Sequence, residues 1–132
     1  MILERNVLSR SKYLQLIPDA MELFGEELSY DKFSKSFEYT IGDATIKHLV
    51  STISYKLNMV NGYWHWNIYF NQIPDVFLLS GWSTDQKELL HLWVIPSDEI
   101  VNGRPFWNRG SFTISEVTKN LKKYEIYEVD LI

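Results

Sequence analysis

Cysteine is absent from this 132-residue chain, which excludes a disulfide framework, a thiolate zinc site and a cysteine nucleophile. Glycine is scarce and scattered, at Gly25, Gly42, Gly62, Gly81, Gly103 and Gly110. No glycine-rich loop can cradle a phosphate, and no P-loop, dinucleotide fingerprint, zincin motif, EF-hand loop or nucleophile elbow occurs. No apolar run approaches the roughly 18 residues of a membrane span, so no membrane association is expected. The start, Met1-Ile2-Leu3-Glu4-Arg5-Asn6, lacks the basic and apolar segments of a signal peptide. These absences together predict an intracellular, cytoplasmic protein. Positive charge is also short: 13 Lys and Arg face 17 Asp and Glu, for a net charge of −4. Phosphate-binding surfaces need clustered bases. The nearest thing to a cluster is the C-terminal set Arg104, Arg109, Lys119, Lys122 and Lys123.

What the chain has in abundance is apolar and aromatic surface. Hydrophobic residues make up 45% and aromatics 15%, enough for residues 1–132 to form a single domain with its own core. Residues 7–28 read as helix in two pieces, with Pro18 suited to a first turn. The apolar stripe is Leu14, Ile17, Met21, Phe24 and Leu28, with Glu22, Glu26 and Glu27 off it. Residues 62–70 alternate aromatic and polar, as a strand with one buried face does, placing Trp64 and Trp66 in the core. Residues 76–79 read as a strand buried on both sides, 80–88 as a polar turn that carries Trp82, and 89–95 as a strand stopped by Pro96. A short strand at 112–114 is followed by a helix starting near Thr113 or Ser115, where Thr113 and Glu116 fit a capping box. Residues 126–131 close as a tail or edge strand. The expected fold class is α+β: a central mixed, mostly antiparallel sheet of four to five strands, flanked by an N-terminal helical segment and a C-terminal helix.

The segment around Gly42-Asp43 is the most specific. A Gly-Asp pair between two alternating runs predicts a hairpin with a two-residue turn of type I′ or II′. If Ile41 pairs with Ala44, Glu38 faces Lys47 and Thr40 faces Thr45. Alternation puts Glu38, Thr40, Thr45 and Lys47 on one face, with His48 on the other. An opposed Glu and Lys is an ordinary cross-strand ion pair, worth about 0.2–1 kcal/mol. It is also the skeleton of a metal-dependent hydrolytic site. His48, His65 and His91 are dispersed and form no local metal pair. Residues 103–110 interleave Arg104, Trp107 and Arg109, a combination that suits nucleic acid, where aromatics stack on bases and bases meet phosphates.

From Glu38 onward the chain resembles the PD-(D/E)XK nuclease superfamily. The resemblance rests on Glu38, Thr45-Ile46-Lys47, Trp64-His65-Trp66, Asp75-Val76-Phe77-Leu78-Leu79, His91-Leu92-Trp93-Val94-Ile95-Pro96 and Ile114-Ser115, and spans roughly 100 residues. It implies a metal-dependent endonuclease-like protein acting on phosphodiester bonds, DNA ahead of RNA, with Mg²⁺ or Mn²⁺ as cofactor. By that resemblance Glu38 and Lys47 are catalytic, Glu38 a metal ligand, and Arg104, Trp107, Arg109 and Lys122 contact nucleic acid. Homodimers are common in the family. The departure is at Thr45, which stands where the family carries its second acid. Glu22 or Glu26 from the first helix is the candidate replacement; Asp43 is off-face by alternation. Without a replacement the chain is a non-catalytic nuclease-fold binding module. A third reading, from another class, is an acidic inhibitory or immunity-type protein that binds a basic partner.

Overall fold

A computed structural model describes residues 13–26, 36–54, 62–70, 72–98, 110–115 and 125–126. One helix, α1 (Ile17–Gly25), precedes strands β1 (Ser36–Ile41), β2 (Ala44–Thr52), β3 (His65–Phe70), β4 (Val76–Trp82), β5 (Leu89–Pro96), β6 (Gly110–Ser115) and β7 (Glu125–Ile126). The α+β class holds. Five strands form one mixed sheet in the order β1-β2-β4-β5-β7, while β3 and β6 form a separate two-stranded sheet. Within the large sheet only β2 and β4 run parallel; its other pairs are antiparallel.

The hairpin has the predicted register, with Ile41 opposite Ala44, Thr40 opposite Thr45 and Glu38 opposite Lys47. Gly42 has φ +63°, whereas Asp43 is not among the positive-φ residues. A left-handed first position followed by an ordinary second one is the II′ choice. Alternation then divides the large sheet into two apolar faces. Leu49, Phe77, Leu79, Trp93 and Ile95 pack under Trp64, Trp66 and Ile68 of the smaller sheet. Ile46, Val76, Leu78, Leu92 and Val94 pack against Ile17 and Ala20 of α1. The result is three layers: helix, five-stranded sheet, two-stranded sheet.

α1 corresponds to the piece expected to begin near Pro18; residues 7–12 and 27–28 lie outside the described residues. Pro18 lies in its first turn and Asp19 favours the positive end of the helix dipole there. A turn closed by Leu16 N–H donating to Tyr13 O (2.9 Å) precedes it. Its buried residues are Ile17, Ala20 and Phe24, so Ala20 joins the stripe while Met21 sits at its margin. No helix among the described residues is long and apolar enough to cross a membrane.

Two expectations need correction. The strand at 76–79 continues to Trp82, through the start of the predicted polar turn. Ser80 and Gly81 are compatible with it because the Ser80 hydroxyl finds partners inside, and Gly81 leaves room for an indole. A Cβ at Gly81 would meet Cδ2, Cε2 and Nε1 of Trp64 at 3.0 Å. Thr113 lies inside strand β6, opposite Asn67, so it does not cap a helix; a helix starting after Ser115 falls outside the described residues. The expected C-terminal helix is not seen among the described residues.

The Gly81 contact yields a first expected result. Gly81→Ala presses on the buried Trp64 ring, which must give by a few tenths of an ångström, and this strains its Nε1–H bond to Trp82 O (3.0 Å). The loss should be about 1–3 kcal/mol, read from the urea midpoint, and an unchanged midpoint would show that the indole has slack.

Candidate functional site

Strand β2 presents Thr45, Lys47, Leu49 and Ser51 to the face covered by the smaller sheet. Lys47 lies toward the open end of that face. Its Nζ donates to Glu38 Oε1 at 3.1 Å. The pair is asymmetric: the Lys47 side chain is 10% exposed and that of Glu38 72%. An exposed carboxylate returns little Coulomb energy, about 0–1 kcal/mol, whereas desolvating an ammonium costs several kcal/mol. The pair is therefore a poor device for stability, and it leaves a nearly buried cation beside a solvent-facing carboxylate.

A second carboxylate joins from β4's leading edge. Asp75 Oδ2 accepts from Thr45 N–H (2.8 Å) and from the Thr45 hydroxyl (3.1 Å). In return Asp75 N–H donates to Thr45 O at 3.0 Å. Thr45 thus fixes an acid instead of being one. The sequence places Asp75 in the family resemblance but suggests no site role for it, because Pro74-Asp75 looks like punctuation before an apolar run. The signal was its place directly ahead of a strand that pairs with β2.

The expected replacement acids lie elsewhere. Glu22 and Glu26 are exposed, Glu22 on α1 and Glu26 capping it, and α1 packs against the Ile46 face, so the sheet separates them from Glu38 and Lys47. Asp43 is exposed in the turn. Glu38 and Asp75 come from strands on opposite sides of β2, two strand spacings of about 4.8 Å apart. Among the described residues no three His, Asp or Glu side chains are grouped to hold a metal ion. Glu38 and Asp75 alone do not make a preassembled Mg²⁺ site, which needs converging oxygens at about 2.1 Å. Arg104, Trp107, Arg109 and Lys122 lie outside the described residues.

The histidines separate into three roles. His48 is fully buried on the helix side, as its alternation from Lys47 requires. Its Nδ1 bonds Tyr39 OH (3.2 Å) and its Nε2 bonds Ser80 Oγ (2.8 Å). Burial pushes its pKa from 6.5 down to about 3, so it is neutral near pH 7. Ser80 Oγ also accepts from Trp82 Nε1–H (2.9 Å) and reaches Leu49 O (3.4 Å). Ser80 and His48 are both inaccessible, so their contact is structural and not a nucleophile–base pair. His65 is exposed. His91 pairs with Glu125 of β7 and stacks on Trp93.

Beyond Asp75, at the end of the large sheet, lies an open recess of about 340 Å³ lined by Tyr13, Ile73, Pro74, Asp75, Pro96, Ser97 and Asp98. The Tyr13 phenol is held above its ordinary pKa by burial and by the charges of Asp75, Asp98 and Asp43. Ser97 N–H donates to Asp75 O (3.1 Å), but Ser97 Oγ is buried without a hydrogen-bond partner. Such an unmade bond costs about 1–3 kcal/mol.

No family model, curated protein or solved structure matches this chain.

Proposed function

We propose that this protein is a nucleic-acid-binding module of nuclease type, in which the hairpin engages a phosphodiester through Lys47 without hydrolysing it. The observation that carries the reading is the buried Lys47 ammonium, held in the predicted register by one exposed carboxylate, Glu38. A phosphate oxygen entering from solvent can take the place of Glu38 at Nζ with a charge-assisted bond. The absence of cleavage follows from position 45. The hydroxyl there is committed to Asp75, and among the described residues no other carboxylate on this face stands beside Glu38 to complete a metal site.

The test combines binding and cleavage. Wild type is expected to bind short single- and double-stranded DNA and RNA with affinity that falls as salt rises. It should leave plasmid and oligonucleotide intact in Mg²⁺ or Mn²⁺. Lys47→Ala should weaken binding by about tenfold, the share of one charge-assisted contact of about 1.4 kcal/mol. Metal-dependent cleavage by wild type that disappears in Lys47→Ala would replace this reading with an active nuclease. Binding unaffected by Lys47→Ala would remove the hairpin from the interface.

Lys47→Met supplies an independent check on the energetics. Replacing a buried, poorly paired ammonium by an apolar chain of similar length should leave stability unchanged or raise it by about 1–2 kcal/mol. A marked loss of stability in thermal or urea unfolding would instead make Lys47 a structural ion-pair partner.

A further inference from the structure

Lys47 has little besides Glu38 to answer its charge. In the sheet it stands between Glu38 of β1 and Phe77 of β4, and Phe77 is fully buried and apolar. Asp75, the next carboxylate along this face, is bound to Thr45. An ammonium carries three N–H donors, yet among the described residues the hydrogen bond of Lys47 Nζ goes to Glu38 Oε1 alone, at 3.1 Å. The side chain that holds those donors is 10% exposed, so little water reaches them, whereas its partner is 72% exposed. Among the described strands β1 is at the edge of the sheet, so the Glu38 side chain can turn outward into solvent without moving the backbone.

We infer that Glu38 is a built-in competitor of the ligand: its carboxylate occupies the phosphate position on Lys47 and swings away when a phosphodiester binds. The inference rests on the phosphodiester reading of the hairpin and adds to it the regulation of that site. A carboxylate and a phosphodiester seek the same N–H donors and repel each other at contact distance, so the two exclude one another at Nζ. Release of Glu38 costs little, because an exposed carboxylate regains its hydration. The contact therefore weakens phosphate binding without abolishing it, and keeps the buried ammonium paired while the site is empty.

The test is fluorescence anisotropy of a labelled DNA oligonucleotide with wild type, Glu38→Gln, Lys47→Ala and the double variant. Glutamine keeps the shape of Glu38 and removes its charge, and the exposed position tolerates it. Glu38→Gln should tighten binding about threefold, the fold-change for loss of one partly exposed charge pair. The gain should vanish in the Lys47→Ala background, because Glu38 acts through Nζ. Salt gives a second readout. A displaced Glu38 takes up a cation that the DNA has released, so the plot of log K against log salt should be steeper for Glu38→Gln than for wild type, by up to about one unit. Glu22→Gln on α1 makes the same change of net charge on the other side of the sheet and should leave both readouts at the wild-type value. Equal tightening in Glu22→Gln, or in the Lys47→Ala background, would reduce the effect to net charge and overturn the inference. Unchanged or weaker binding by Glu38→Gln, in Mg²⁺ or without it, would overturn it as well. Failure of the phosphodiester reading itself looks different: Lys47→Ala then binds like wild type whatever stands at position 38.

Discussion

Unfolding free energy should fall as pH is lowered from about 6.5 toward 5, by about 1.4 kcal/mol per unit, because of His48. In the folded state this imidazole stays neutral until about pH 3, whereas its ordinary value is 6.5. Between those values the unfolded chain binds a proton that the folded chain refuses, so stability rises with pH. The contribution is complete above 6.5 and is lost progressively as pH falls toward 3. Across the whole interval it amounts to something on the order of 4 kcal/mol. The surroundings explain why the proton is refused: the rings of Phe24, Phe37 and Tyr39 lie around the imidazole. Its two nitrogens are occupied by hydroxyls and face no carboxylate. Carboxylates titrate mostly below pH 5, which leaves the window above it diagnostic. Urea midpoints at about pH 7, 6 and 5 should slope for wild type and flatten for His48→Gln. Parallel curves for the two proteins would mean that His48 gains its proton without unfolding the chain.

Trp66→Ala should be the most damaging single truncation, costing about 3–5 kcal/mol. Trp66 is 2% exposed in the cluster that joins the two sheets. It meets Trp93 edge-on at 5.1 Å between ring centroids. Its Nε1–H also donates to Ser80 O at 3.2 Å, so alanine removes packing, an aromatic contact and a hydrogen bond at once. The opposing layer cannot collapse into the gap, because β3 is held by β6 along its whole length. Thermal unfolding and amide exchange in β3 read the effect together. A loss below about 1 kcal/mol would show that the smaller sheet is only loosely seated.

Much of this fold is legible in short-range pattern. The hairpin register follows from one turn and alternation, and both hold for every pair from Glu38–Lys47 to Ile41–Ala44. Trp64 and Trp66 share a buried face, as residues two apart on a strand must. Pairing between distant strands is not written in such patterns. Residues 62–70 read as one more strand in the run that builds the central sheet, yet β3 leaves that sheet and lets β4 pair in parallel with β2. That step decides which carboxylate comes near Thr45, so local pattern gives Asp75 no site role and points to the helix glutamates instead. Ser80 misleads for a related reason. A polar residue after an apolar run looks like a turn until His48, Trp82 and Leu49 are found around its hydroxyl.

The parallel pairing of β2 with β4 also sets an order of events during folding. The β1–β2 hairpin closes locally, on the microsecond scale of such elements, and brings Glu38 to Lys47 early. Asp75, 30 positions further along the chain, reaches Thr45 only after the segment between them has been brought around, with β3 passing across the face on the way. Closures of that kind dominate the folding time of sheet proteins, which extends to milliseconds and seconds. Half of the polar constellation on this face is therefore a fast local product, and the other half is a late one that reports completion of the topology. The fluorescence of Trp66, set by a layer that assembles with Asp75, should change in the slow phase.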